Sequence, residues 1–128
     1  MIALSKTIAL RTELQRLLKT LTDNVHYEQA PDTATYPYLV YELSELSYNY
    51  GKTLMELEIN ILDYGTSTNE VETIADSVQS TLNKYSYLGA DIQFIIYKNI
   101  RQRVVEDDKN IIRRRLTFEI QLHELKGE

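Results

Sequence analysis

Two stretches of this chain alternate strictly between apolar and polar residues, and that pattern constrains the fold more than any other feature. Met55, Leu57, Ile59 and Ile61 are separated by Glu56, Glu58 and Asn60. Leu116, Phe118, Ile120 and Leu122 alternate with Arg115, Thr117, Glu119 and Gln121. A period of two puts every apolar side chain on one face of a strand and every polar one on the other. Such strands need other elements to cover the apolar face. Three more segments read the same way. Leu39, Tyr41 and Leu43 mark a strand over about 38–46, and Ile92, Phe94 and Ile96 mark another. Residues 25–29 form a short one. Asn49-Tyr50-Gly51 is a hairpin turn signal, and Glu106-Asp107-Asp108-Lys109-Asn110 is a polar turn between the last two strands.

Two segments switch to helical spacing. Leu10, Leu14, Leu17, Leu18 and Leu21 form one stripe, with Arg11, Glu13, Gln15, Arg16 and Lys19 on the other side. The stripe fits core packing better than a partner-binding helix. Asp23-Asn24 supplies a stop, since Asn tolerates the left-handed conformation. Ser67 with Glu70 three residues on is a capping-box pattern, followed by Val71, Ile74, Ala75, Val78 and Leu82. Helices are expected near 7–22 and 68–84. The expected architecture is α+β: a mainly antiparallel sheet with two helices packed on one face, in a single domain over 1–128. Leu14, Leu18, Leu57, Ile59, Ile74, Val78, Phe118 and Ile120 are the expected core.

The chemistry-bearing residues are sparse. The 128 residues include no cysteine, so there is no disulfide, thiol nucleophile or Cys-based zinc site. His26 and His123 fall in no ligand-spaced motif and read as strand-end residues. No Gly-rich phosphate loop and no nucleophile elbow occur among the 4 glycines. The acidic run at Glu106 lacks the alternating ligands of a calcium loop. No enzyme activity, metal or cofactor is expected. A net charge of −5 disfavours anionic membranes and nucleic acid unless the cations cluster. The start of the chain lacks the pattern of a secretory signal, so the protein is expected to stay where it is made.

Cations do gather in one place. Arg101, Arg103, Arg113, Arg114 and Arg115 lie on the two strands flanking the acidic turn. Arg101 shares a face with Arg103, and Arg113 with Arg115, so pairing of the strands would make a positive patch. Phosphate contact is one use, and a salt bridge to an acidic neighbouring subunit is the favoured one. Glu56 and Glu58 are the candidate acidic side. Tyr48 and Tyr50, two of 10 tyrosines, supply apolar contact area at the first hairpin.

Several segments together resemble a phage family. They are Tyr36-Pro37-Tyr38-Leu39-Val40-Tyr41 after the leucine-rich helix, Leu57-Glu58-Ile59-Asn60-Ile61-Leu62-Asp63, Asn69-Glu70-Val71-Glu72-Thr73-Ile74-Ala75-Asp76, and Arg113-Arg114-Arg115-Leu116-Thr117-Phe118-Glu119-Ile120. In element order the chain is similar to the tail-terminator, or tail-completion, proteins of tailed bacteriophages. The resemblance implies a structural subunit of a hexameric ring that caps the tail tube, ends its growth and presents a joining surface to the head. The implied partners are further copies of the chain, the tail tube protein and the head connector or neck protein, with DNA passing through the ring. No membrane and no sequence-specific nucleic acid are implied. The implied location is the host cytoplasm during assembly and then the head–tail junction of the virion. A neck connector is the alternative in the same class, and a small nucleic-acid-binding domain the alternative from another.

Overall fold

The computed structural model describes residues 5–125. Its elements are helix α1 (Lys6–Lys19), strands β1 (Val25–Tyr27), β2 (Tyr38–Asn49) and β3 (Lys52–Tyr64), helix α2 (Asn69–Leu82), and strands β4 (Ser86–Leu88), β5 (Ile92–Val104) and β6 (Ile111–Glu124). All six strands join one sheet in the order β1-β2-β3-β6-β5-β4.

The expected mainly antiparallel sheet with two helices packed on one face is corrected. The protein is a mixed six-stranded sheet curled into a half-barrel, 48% strand, with two short helices. The sheet is mixed because β1 runs parallel to β2, placing Val25 beside Leu39. Residues 28–37 carry the chain back to the end at which β1 began, so both strands run the same way. Curling follows from the strand twist accumulated over four long strands and from the two bulges described below. α1 touches β1 near one edge and β5 near the other, while α2 lies against β6, β3 and β5.

The strands are longer than the alternation suggests, because pairing continues past the apolar stretches. In β2–β3, Tyr38 faces Leu62 and the ladder runs to Asn49 opposite Lys52. Tyr50 (φ 51°) and Gly51 (φ 82°) close that hairpin with two successive left-handed residues, a backbone that matches the twist of the flanking strands. The expected core residues are buried, and they share one cluster with Leu10, Leu39, Tyr41, Ile61, Phe94 and Leu116.

Two helix-boundary expectations are also corrected. The N-cap of α2 is Thr68, not Ser67, and it makes no side-chain cap hydrogen bond; Ser67 Oγ instead accepts from the Asn69 amide at 3.3 Å. Asn24 is not a left-handed cap. Its side chain donates to the carbonyls of Thr35 and Pro37, tying down the loop before β2. Ser5 caps α1 by accepting from the Ile8 amide at 3.0 Å.

Candidate functional site

Antiparallel partners project side chains to the same side of a sheet, so the register sorts the candidate residues by face. Arg101 stands opposite buried Leu116, and Arg103 opposite Arg114, which in turn faces buried Ile61. These three arginines therefore share the core side with α2. Arg113 faces Leu62 and Arg115 faces Asn60, on the outer side. A bulge between Lys98 and Ile100 sets this arrangement. The single positive patch expected from pairing β5 with β6 does not form: the arginines divide between two faces.

Most of them are engaged within the chain. Arg101 reaches Asp76 at 2.7 Å and Glu72 at 3.0 Å, and Arg114 reaches the same Glu72 oxygen at 3.0 Å. Hydrogen bonds from Arg101, then Arg114, hold the Glu72 carboxyl below the usual carboxylate range against the opposing effect of burial. Glu72 thus ties α2 to β5 and β6. On the outer face Arg113 pairs with Glu106 at 2.6 Å and donates to Asn60 Oδ1 at 2.9 Å. Arg115 Nε lies 3.8 Å from Glu58, too far for a hydrogen bond, and is buried without a partner. Arg103 is exposed and makes no ion pair among the described residues.

The acidic candidates lie on the outer face too. Glu58 stands opposite Glu42 and Glu56 opposite Ser44. Burial pushes the Glu42 carboxyl up, and the facing Glu58 adds to the shift. Glu58, Asn60 and Arg113 line an open hollow of about 390 Å³ with Tyr38. A larger cleft of about 680 Å³ lies between the loop before α2 and the β5–β6 turn, lined by Arg103, Lys109, Arg114, Thr68 and Ile112. Tyr48 is half exposed and Tyr50 almost wholly so at the hairpin tip. The ammonium of Lys6 sits 4.8 Å from the Tyr48 ring centre and 2.9 Å from Glu45.

The histidines do not meet. His26 lies on β1 in the row of Val40, whereas His123 faces Lys52 at the far end of the sheet. Among the described residues no group of three His, Cys, Asp or Glu side chains is placed to hold a metal ion. No helix among them is long and apolar enough to cross a membrane.

Sequence reasoning missed an aromatic patch on the outer face. Tyr36 packs 5.2 Å from Tyr38 and 5.8 Å from Tyr64, and His26 meets Tyr38 edge-on at 6.0 Å. Counting by twos from Leu62 to Tyr64 would have placed Tyr64 on that face. The approach of Tyr36 depends on the loop and leaves no signal of its own.

No protein-family model matches the chain, and neither does any curated protein. Solved structures share its fold. One is a chain from the virion of a native gene transfer agent particle, with a TM-score of 0.66 over 91% of each chain at 11% identity. A second has a TM-score of 0.72 over 98% of this chain and 100% of the other, also at 11% identity.

Proposed function

We propose that the chain is a non-enzymatic virion subunit that forms a ring on the end of a phage-type tail tube, ends tube growth and offers the surface to which the head joins. The observation that carries this reading is the shared fold over almost the whole chain with a component of a gene transfer agent virion. The tail-terminator resemblance of residues 36–41, 57–63, 69–76 and 113–120 narrows the role and supplies the hexameric ring. The ring would use heterologous contacts, one edge of a subunit against the opposite edge of the next, which close when the rotation between copies divides a full turn. Tyr48, Tyr50, Glu56, Glu58, Arg101, Arg103, Arg113 and Arg115 are the residues proposed for these contacts or for those with tube and head.

The test is to remove the chain from particle assembly and image the products. Tails of uncontrolled length, restored to uniform length by adding the protein back, support the terminator role. Tails of normal length that fail to join heads point to a neck connector instead. Normal, joined particles overturn both.

A further inference from the structure

Both long edges of the sheet are left open, and they complement each other. β1 covers β2 only at Leu39, Val40 and Tyr41. β4 covers β5 only as far as Ile95, with Ile96 bonded to Tyr85 and the Lys98 amide to the Asn83 side chain. Among the described residues, 42–49 of β2 and 99–104 of β5 therefore have no strand beyond them. Exposed strand edges are templates for pairing with another chain, and proteins that leave them open commonly use them.

The charges of the two stretches are opposite. Residues 42–49 carry Glu42 and Glu45 and no cation; residues 99–104 carry Arg101 and Arg103 and no acid, Glu45 being paired with Lys6 and Arg101 with Glu72 and Asp76 of the same chain. Each also exposes apolar side chains: Leu46, Tyr48 and neighbouring Tyr50 on one edge, Ile100 and neighbouring Val105 on the other. Strand direction agrees. β2 to β3, β3 to β6 and β6 to β5 are all antiparallel steps, so β2 and β5 run in opposite directions. A second copy in the same orientation, shifted along the strands by about 20 Å so that its residue 45 comes level with residue 103, sets its β2 antiparallel to the first copy's β5.

We infer that the open edge of β5 pairs with the open edge of β2 from a second copy of this chain, joining the sheets of neighbouring subunits; this rests on the ring reading and specifies its contact. The faces match across the junction. Glu45 stands opposite Met55 and Tyr48 opposite Thr53, both buried, so these two side chains lie on the core side, as Arg103 does. Arg103, the exposed arginine without an ion pair among the described residues, meets Glu45 and Tyr48 of the neighbour and shares them with that copy's Lys6, which lies 2.9 Å from the acid and 4.8 Å from the ring centre. Because the two edges differ, the contact is head-to-tail and propagates around a ring.

The chain has no cysteine, so an engineered pair reports without background. Arg103→Cys combined with Glu45→Cys, and separately with Tyr48→Cys, is oxidised in the presence of tail tube ends and run on a denaturing gel. Within one chain positions 45 and 103 lie three strand spacings apart across the sheet, about 14 Å, and six residues apart along it, about 20 Å, well beyond the roughly 7 Å that a disulfide spans. The expected result is a ladder of dimers and higher multimers from a double variant and no ladder from the single ones. Rings imaged on tube ends with the wild-type chain, but no ladder from either pair, would overturn the edge pairing and keep the ring. A ladder without rings on tubes would keep the pairing and overturn the ring. Retention on immobilised DNA that Arg103→Glu abolishes, with no ladder, would assign this edge to phosphate and also overturn the pairing.

Discussion

Arg101→Met separates a residue that holds the subunit together from one that holds subunits to each other. The guanidinium donates to Asp76 at 2.7 Å and to Glu72 at 3.0 Å. Methionine keeps most of the stem and removes only the charge and its donors. Asp76 is 73% exposed, so water competes with that pair and it contributes little. The Glu72 pair is stronger because the same carboxylate also binds Arg114, itself only 14% exposed. Discounting both for exposure, the loss is about 1–2 kcal/mol. For a domain of this size that lowers the melting temperature by about 3–10 °C. Arg101→Glu is expected to cost more, since it sets a third carboxylate against two. The sign of the pH dependence follows from Glu72, whose folded pKa is lowered chiefly by Arg101. Its stabilisation is present at neutral pH and disappears as pH falls through the carboxylate range, so wild type and Arg101→Met should converge in acid. Thermal melts by circular dichroism at neutral and acid pH measure this, with ring assembly scored on the folded fraction. An unchanged melting temperature together with lost assembly would show that Arg101 is a contact residue and that its intrachain pairing is unimportant.

Ile59→Ala should cost about 2–5 kcal/mol and Phe118→Ala about 3–5 kcal/mol, because both side chains are fully buried; unaltered urea midpoints would mean that the strand facing is wrong. Glu13 accepts hydrogen bonds from Arg16 and Tyr85, and chiefly the Arg16 bond lowers its pKa although burial opposes the shift. Glu13→Gln should therefore destabilise the fold at neutral pH and matter progressively less below the usual carboxylate range; a pH-independent difference between the variants would refute the link. Arg113→Glu with Arg115→Glu should lower stability as well as impair assembly, because both arginines face acids of their own chain, Glu106 and Glu58. Wild-type stability in that double variant, measured by urea denaturation, would count against these pairs.

The strands were legible because their alternation reports burial directly. Met55 to Ile61 and Leu116 to Leu122 face the core in the expected phase. The leucine stripe of α1 and the apolar stripe of α2 were legible for the same reason. What alternation cannot show is how strands far apart in sequence line up. The pairing of β3 with β6, Leu57 beside Phe118, links residues some sixty positions apart, and no local pattern encodes it. The parallel seating of β1 is equally invisible: Val25, His26 and Tyr27 are too few to carry a directional signal. β4 escaped notice altogether, because Ser86, Tyr87 and Leu88 form a three-residue strand defined by its partner, Phe94 facing Tyr87.

The site was less legible than the fold for a reason of parity. Counting by twos within β5 correctly puts Arg101 with Arg103, and within β6 it puts Arg113 with Arg115. Whether the two pairs share a face depends on the register between strands, and one inserted residue reverses the answer. Asn99 is that residue, lying where the register shifts between Lys98 and Ile100. It leaves Phe94 and Ile96 on the core side and still directs Arg101 and Arg103 there, opposite Leu116 and Arg114. Without the insertion, residues 101 and 103 would share the outer face with Tyr97, and the four candidate arginines would lie together. With it, Arg101 is drawn into the acids of α2, and Arg103 is left beside the open edge without an ion pair among the described residues. A bulge has no dedicated sequence signature here, yet it decides which arginine serves the fold and which remains available to a neighbour. β2 carries the matching irregularity, between Glu45 and Ser47, within its own uncovered stretch. Bulges re-aim side chains and sharpen local twist at sheet edges. Among the pairings of the described residues, such shifts occur only in the two that involve strands with an uncovered stretch, so an edge contact there has to follow the local twist that each bulge imposes.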